Sequence, residues 1–202
     1  MTERGRMAVL VLASLAVTTA LTWTSRRSGL IRRGSPPTAG STSSIEKSLF
    51  ARAMRGDTTD ELTLVFLTSG ACGACADERL PTLVEGAKEI IARKAKTAGF
   101  LFATIGVGID ATPRTGVGDL TRFGDFDEVL TGRGTTGIGG LTFMWNEYAG
   151  PPAVPQVIVI RRRFQIQNGR IGVAEPGRIL GRFVGLPEID RWSKAGYRVE
   201  SK

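Results

Sequence analysis

Cys72 and Cys75 are the only cysteines of the chain, and they stand between a predicted strand and a predicted helix. Residues 62–67 form a short apolar run of strand-forming residues, which is typical of a buried strand. Residues 76–96 carry apolar side chains at helical spacing, namely Leu80, Leu83, Val84, Ala87, Ile90 and Ile91. This order predicts an α/β domain in which residues 100–107 form the next, parallel strand of a βαβ unit.

The spacing of the two cysteines indicates redox chemistry. In a helix's first turn such thiols can close a small disulfide, and the amide dipoles favour a thiolate on the first sulfur, so we expect Cys72 to attack and Cys75 to resolve.

Zinc and iron–sulfur sites normally need four protein ligands, whereas the chain has two cysteines and no histidine. A c-type haem site needs histidine where Ala76 stands. We therefore predict no metal and no cofactor, unless a partner chain supplies ligands; an inert disulfide or two unrelated buried cysteines are the structural alternatives.

The segment resembles the active-site strand and helix of the thioredoxin-like superfamily. Pro81 lies six residues after Cys75, where many members carry a helix-kinking proline. Val154-Pro155 precedes the apolar run 156–160 and resembles the cis-proline segment of the family. In relatives this loop lies against the Cys-x-x-Cys motif and offers backbone groups to a peptide, so the resemblance implies that Val154 and Pro155 bind substrate.

Residues 160–184 contain Asn168-Gly169 as a turn signal and are followed by Gly185. This arrangement of strand, turn, strand and closing Val-Gly resembles the membrane-anchored thiol-disulfide reductases of the TlpA and ResA type. The resemblance covers roughly residues 45–190. It implies a thioredoxin-like domain over residues 45–202, with a central mixed sheet flanked by helices, a Cys72–Cys75 disulfide, and a protein thiol or disulfide as substrate.

The chain departs from the family around the motif. Ala71 stands where thioredoxins usually have tryptophan, and Phe66 stands where they have a buried acid. The remaining proton acceptors near the cysteines are Asp77, Glu78 and water, although acids in the first turn also stabilise a helix without any catalytic role. The alternative to an enzyme is therefore a noncatalytic thioredoxin-like subunit of a membrane protein complex.

Residues 7–24 lack charge, and we interpret residues 1–25 as an uncleaved membrane anchor, the alternative being a signal peptide. Arginines lie on both sides of the span, and a count of positive charge would leave the domain inside. The usual layout of exported proteins instead favours a single-pass protein with its domain on the extracytoplasmic, periplasmic side. Residues 26–44, rich in serine, proline and glycine near their end, are predicted to be a flexible linker.

The net charge of +8 does not indicate nucleic-acid binding. Residues 1–35 contribute six arginines and one acid, which leaves the rest of the chain at +3. Arg161-Arg162-Arg163 is the compact basic run of that part. We interpret it as a solvated strand end or a contact for an acidic partner, and we predict no nucleic-acid partner.

Residues 108–150 are predicted to be a long glycine-rich insertion before the cis-proline strand, with ten glycines. The aromatic run 143–148 in it is either a local core plug or a docking surface beside the dithiol. Three further helices are predicted, over residues 45–55, 125–130 and 187–194, with Trp192 of the last one facing inward.

Overall fold

A computed structural model describes residues 58–167 and 170–199. They form an α/β fold with a five-stranded mixed sheet and flanking helices, compatible with a thioredoxin-like fold. No helix within these two ranges is long and apolar enough to cross a membrane. Four predicted features lie outside the described residues: the anchor (1–25), the linker (26–44), the first helix (45–55) and the Asn168-Gly169 turn.

The central strand is β1 (Thr58–Thr68), and it runs parallel to β2 (Leu101–Gly108) with Leu64 opposite Thr104. Both predicted strands are thereby confirmed. The side chains of residues 62–67 are all buried, on both faces of the sheet. This double burial explains why β1 appears in the sequence as a continuous apolar run rather than as an alternating one.

The helix after the cysteines, α1 (Arg79–Ala98), begins three residues later than predicted. Pro81 is consequently its third residue. The expected kink is therefore replaced by an ordinary helix start, because proline in the first turn sacrifices no intrahelical hydrogen bond. The helix ends at Gly99, whose φ of 73° is the left-handed conformation that glycine adopts at helix C-termini.

Residues 108–150 contain ordered elements, including α2 (Pro113–Leu120) and β3 (Glu128–Thr131). The helix predicted for residues 125–130 is wrong, because β3 pairs in parallel with the second half of β2. Asp127 stabilises this extended path: its Oδ2 accepts hydrogen bonds from the backbone N–H and the hydroxyl of Thr104, each at 2.8 Å. Thr104 lies 23 positions before Asp127, so residues 125–130 alone do not indicate this partner.

The sheet is completed by β4 (Gln156–Gln167) and β5 (Arg170–Val184), giving the strand order β3-β2-β1-β4-β5. β4 is antiparallel to both β1 and β5. The last helix, α3 (Leu186–Lys194), confirms the predicted C-terminal helix. Its Trp192 is buried, as predicted, and stacks on Phe183 with ring centroids 4.0 Å apart.

Helices cover the two faces of the sheet from different parts of the chain. α1 and α3 pack on the face that carries Leu64, Phe66 and Val159. The opposite face is covered by the segment comprising Ile138–Gly140 and the π-helical turn Leu141–Trp145, here called the covering helix, together with Tyr148. Its inward side chains pack on the following core residues: Val65, Leu67, Ile105, Val107, Ile158 and Ile160. The insertion therefore supplies a layer of the fold.

Phe143 and Trp145 separate the two interpretations of the aromatic run. Phe143, Met144 and Tyr148 are buried, so these three residues of the run form a core plug. Trp145 is 49% exposed and shares the outer surface of the covering helix with Ile138 and Leu141, which are 75% and 40% exposed.

The three consecutive arginines of β4 are engaged in cross-strand ion pairs. Arg161 and Arg163 both contact Asp60 at 3.0 Å, and Arg162 contacts Glu61 at 2.6 Å. Burial alone would raise the pKa of Asp60, but hydrogen bonds and charges from the two arginines outweigh burial and lower it. The run is therefore paired within the sheet rather than held as an open basic patch.

Replacement of Phe143 by alanine should remove a buried ring from the second core layer and lower the free energy of unfolding by about 3–5 kcal/mol. Trp145→Ala is the matched control, because Trp145 is half exposed on the same segment, and it should cost no more than about 1 kcal/mol. Urea denaturation followed by circular dichroism measures both values. Equal losses in the two variants would contradict this assignment of the covering helix.

Candidate functional site

The two cysteines follow the C-terminal end of β1, at a 3₁₀ turn over Gly73–Ala76 that contains Cys75 and that we call the cysteine turn. They are disulfide-bonded, with Cα atoms 5.2 Å apart. Cys72 precedes the turn and caps it, since its Sγ lies 3.1 Å from the backbone N–H of Cys75. The expectation that both thiols lie in the first turn of the α-helix is wrong, because α1 starts only at Arg79.

The two sulfur-bearing side chains differ in access to solvent. Cys75 is 1% exposed and belongs to the core, whereas Cys72 is only partly buried. The order of burial matches an attacking Cys72 and a resolving Cys75.

The Val154-Pro155 peptide bond is cis, and Val154 contacts the cysteine turn. Cys72 Sγ lies 3.4 Å from the backbone oxygen of Val154, so the predicted proximity of the cis-proline loop and the cysteines is confirmed. Pro155 is buried, and its carbonyl accepts a hydrogen bond from Gly185 N–H at 2.7 Å. Gly185 therefore anchors the loop at Pro155, while the carbonyl oxygen of Val154 points to the sulfur of Cys72.

Sequence reasoning missed the two polar side chains that shape this loop, Gln156 and Arg182. Gln156 is fully buried, and its Nε2 donates to the carbonyl oxygens of Pro151 and Ala153. Arg182 donates to Gln156 Oε1 at 2.5 Å and to the Phe143 carbonyl at 3.3 Å. Burial lowers the pKa of Arg182. One guanidinium thus joins the covering helix to the cis-proline loop.

A second cation lies on the other side of the cysteines. Arg122 donates to the carbonyl of Cys75 at 3.4 Å and to Asp119 Oδ1 at 3.3 Å. Asp119 is itself nearly buried and accepts a 2.7 Å hydrogen bond from the hydroxyl of Thr68. This ion-paired group connects the end of β1 to the cysteine turn.

Asp77 and Phe66, two residues that the sequence singled out near the cysteines, both have structural roles. Asp77 accepts hydrogen bonds from the guanidinium and the backbone N–H of Arg79, and these bonds lower its pKa. The partly buried carboxylate thereby stabilises the start of α1. Phe66 is fully buried against Phe123, with ring centroids 4.5 Å apart. An aromatic ring therefore packs in the core below the cysteines at the position where thioredoxins have a buried acid.

A buried acid exists nearby at a different place in the sequence, namely Asp110, two residues after the end of β2. Its Oδ1 accepts hydrogen bonds from the Ser69 hydroxyl and the Gly70 N–H, both at 3.2 Å. Forty-one residues separate Asp110 from Ser69. Local sequence patterns therefore do not predict the contact between Ser69 and Asp110. The sequence indicates only that Asp110 follows a predicted strand.

No cluster of metal-binding side chains occurs among residues 58–167 and 170–199. The site consists of the partly buried Cys72, the fully buried Cys75, a cis-proline loop in contact with Cys72, and two neighbouring polar groups, Arg122 with Asp119 and Gln156 with Arg182. Such a pair in an α/β fold is compatible with thiol-disulfide exchange. The sequence matches no family model and no curated protein.

In the reduced protein, limiting iodoacetamide at roughly pH 6 should alkylate Cys72 before Cys75, because Cys72 is accessible and the Cys75 N–H stabilises its thiolate. Peptide mapping by mass spectrometry identifies the labelled residue. Both cysteines should react at similar rates in urea, which is the control for intrinsic reactivity. Preferential labelling of Cys75 in the folded protein would reverse the assigned roles.

Proposed function

We propose that this protein is a membrane-tethered thiol-disulfide oxidoreductase, similar to the TlpA and ResA type, that acts through the Cys72-Gly73-Ala74-Cys75 dithiol. The observation that carries the proposal is the contact of the partly exposed Cys72 Sγ with the Val154 carbonyl across a cis-proline loop, while Cys75 stays buried. An inert structural disulfide would need neither an accessible sulfur nor a substrate-binding loop beside it.

The reaction proceeds by two exchanges. The Cys72 thiolate attacks one sulfur of a substrate disulfide, forming a mixed disulfide and expelling a substrate thiolate. The Cys75 thiolate then attacks Cys72 Sγ, closing the Cys72–Cys75 disulfide and expelling the second substrate thiolate. The substrate gains two electrons, and the two protons lost by the protein thiols end on the substrate thiols. An external dithiol reductant restores the starting state.

The residues around the pair support these steps. Cys72 Sγ lies beside the N–H of Cys75, which stabilises the attacking thiolate. The Arg122 guanidinium, paired with Asp119, donates to the Cys75 carbonyl and thereby helps to hold the cysteine turn in place. The exposed residues 151–153 lead into Val154 and give an incoming peptide access to the sulfur.

The second candidate is a noncatalytic subunit of a membrane complex. The outer surface of the covering helix favours it, because Ile138, Leu141 and Trp145 expose apolar side chains in one segment. Phe66 and Ala71, at positions where thioredoxins carry an acid and a tryptophan, point the same way.

The full-length protein in detergent, with dithiothreitol as reductant, should accelerate the reduction of insulin disulfides, and Cys72→Ser should abolish the acceleration. Cys75→Ser should lose turnover as well but accumulate a mixed disulfide on Cys72, because the resolving thiol is missing. Non-reducing mass spectrometry detects this adduct. Trp145→Ala, which leaves both cysteines in place, is the control and should retain turnover. A wild-type protein that folds but gives no acceleration would favour the noncatalytic subunit.

For the tether, we propose that residues 7–24 remain in the mature protein and hold the domain on the extracytoplasmic side. The protein should then resist extraction with alkaline carbonate, and external protease should digest its domain in sealed spheroplasts. A cytoplasmic protein that stays protected until lysis is the control. Release by carbonate, or a mature N-terminus near Leu21, would instead identify a signal peptide.

A further inference from the structure

Asp110 lies beside the chain that leads from β1 into the cysteine turn. The N–H of Ile109 donates to the Thr68 carbonyl at 2.8 Å, which fixes the end of β2 against the end of β1. The next residue, Asp110, is 9% exposed, and one of its oxygens accepts both the Ser69 hydroxyl and the Gly70 N–H. The carboxylate thus holds two consecutive residues of the connecting chain.

The hydrogen bonds continue from Ser69 to the first cysteine. The Ser69 hydroxyl donates to Asp110 and accepts the N–H of Ala71 at 3.3 Å. The Ser69 carbonyl accepts the N–H of Cys72 at 3.0 Å. Every backbone N–H from Gly70 to Cys72 is therefore held, directly or through Ser69, by a chain of bonds that starts at the carboxylate.

Two carboxylates flank this chain, and their environments differ. Asp119 is compensated by Arg122 and Thr68. Asp110 makes no ion pair among the described residues, and its Oδ2 is buried there without a hydrogen-bond partner. A buried carboxylate without a cation depends on the hydrogen bonds that it accepts, and those of Asp110 come from Ser69 and Gly70.

We propose that Asp110 is a positioning residue that holds residues 69–72 in one conformation in both redox states and thereby sets the reduction potential of the Cys72–Cys75 couple. Reduction adds two electrons and two protons to the disulfide and gives two thiols. A turn that keeps these thiols close raises their effective concentration and favours closure of the disulfide. The proposal rests on the proposed function for its biological meaning, but the equilibrium itself can be measured whether or not the protein turns over a substrate.

Equilibration of the full-length protein with glutathione redox buffers in detergent tests the proposal. Asp110→Ala should lower the equilibrium constant for disulfide closure about tenfold, a potential roughly 30 mV less negative for a two-electron couple. Asp110→Asn keeps an acceptor oxygen for Ser69 and Gly70 and should stay within about threefold of the wild type. This variant separates positioning from charge, because loss of a nearby negative charge would shift the potential in the same direction.

Asp127→Ala is the matched control. Its carboxylate binds Thr104 as Asp110 binds Ser69, through a hydroxyl that also accepts a backbone N–H. Thr104 lies four residues before the end of β2, roughly 13 Å along the strand from the end that is nearer to the cysteine turn. The Asp127→Ala protein should therefore keep the wild-type potential.

Three outcomes would overturn the proposal: an unchanged potential in Asp110→Ala, an equal shift in Asp110→Asn, or an equal shift in Asp127→Ala. If Asp110→Ala does not fold by near-ultraviolet circular dichroism, Ser69→Ala decides, since it removes the link between the carboxylate and Ala71 only. It should shift the constant in the same direction by a smaller factor, and no shift would refute the positioning role. A shifted potential in Asp110→Ala, together with no insulin reduction by the wild type, would support the positioning role of Asp110 and contradict the proposed enzymatic function.

Discussion

The pairing of β1 with β4 is the constraint on which the site depends. The two strands are antiparallel with Leu67 opposite Gln156, so the last residues of β1 and the first residues of β4 lie at one edge of the sheet. Cys72 follows the former and Val154 precedes the latter, which brings together residues that are 82 positions apart. Because strand side chains alternate between faces, a slip of one residue in this register would exchange the two core layers. Since both strands are apolar on both faces, the packing of particular side chains in each layer, such as Phe66 in one and Leu67 in the other, fixes the relation of the sulfur to the cis-proline loop.

Residues 108–150 stabilise this edge rather than merely extending the chain. α2 supplies Asp119, Arg122 follows it, and the covering helix buries Phe143 and Met144 under the sheet. Arg182 then links the Phe143 carbonyl to Gln156 at the start of β4. Packing and polar contacts of the insertion thus converge on the segments that carry Cys72 and Val154. A long connection with weak periodicity in the sequence becomes a second layer because its apolar residues meet the far face of the sheet.

Local sequence was sufficient for features that depend on neighbouring residues. The apolar run of β1 and the periodicity of α1 predicted that the two cysteines lie between a strand and a helix, and the resemblance of the Val154-Pro155 segment to the thioredoxin-like superfamily implied the cis bond. Helical periodicity could not distinguish the cysteine turn from the first turn of α1, since the apolar positions after Leu80 are the same in both cases. Residues 125–130 were assigned to a helix because the pairing of β3 with β2 is a tertiary contact. Asp110, Gln156 and Arg182 were missed for a related reason: a buried polar side chain is identified by its partners, and the partners of Asp110 and Arg182 lie on other strands and turns.

The polarity of β1 separates two ends of the domain. The chain enters β1 at Thr58 and reaches Thr68 ten residues later, roughly 33 Å away for an extended strand. Asp60 and Glu61, with their arginine partners, lie at the entry end, whereas the sulfur chemistry lies at the exit end. Substitutions at Asp60 or Glu61 therefore act at the end of β1 remote from Cys72, and they leave the immediate surroundings of the sulfur unaltered.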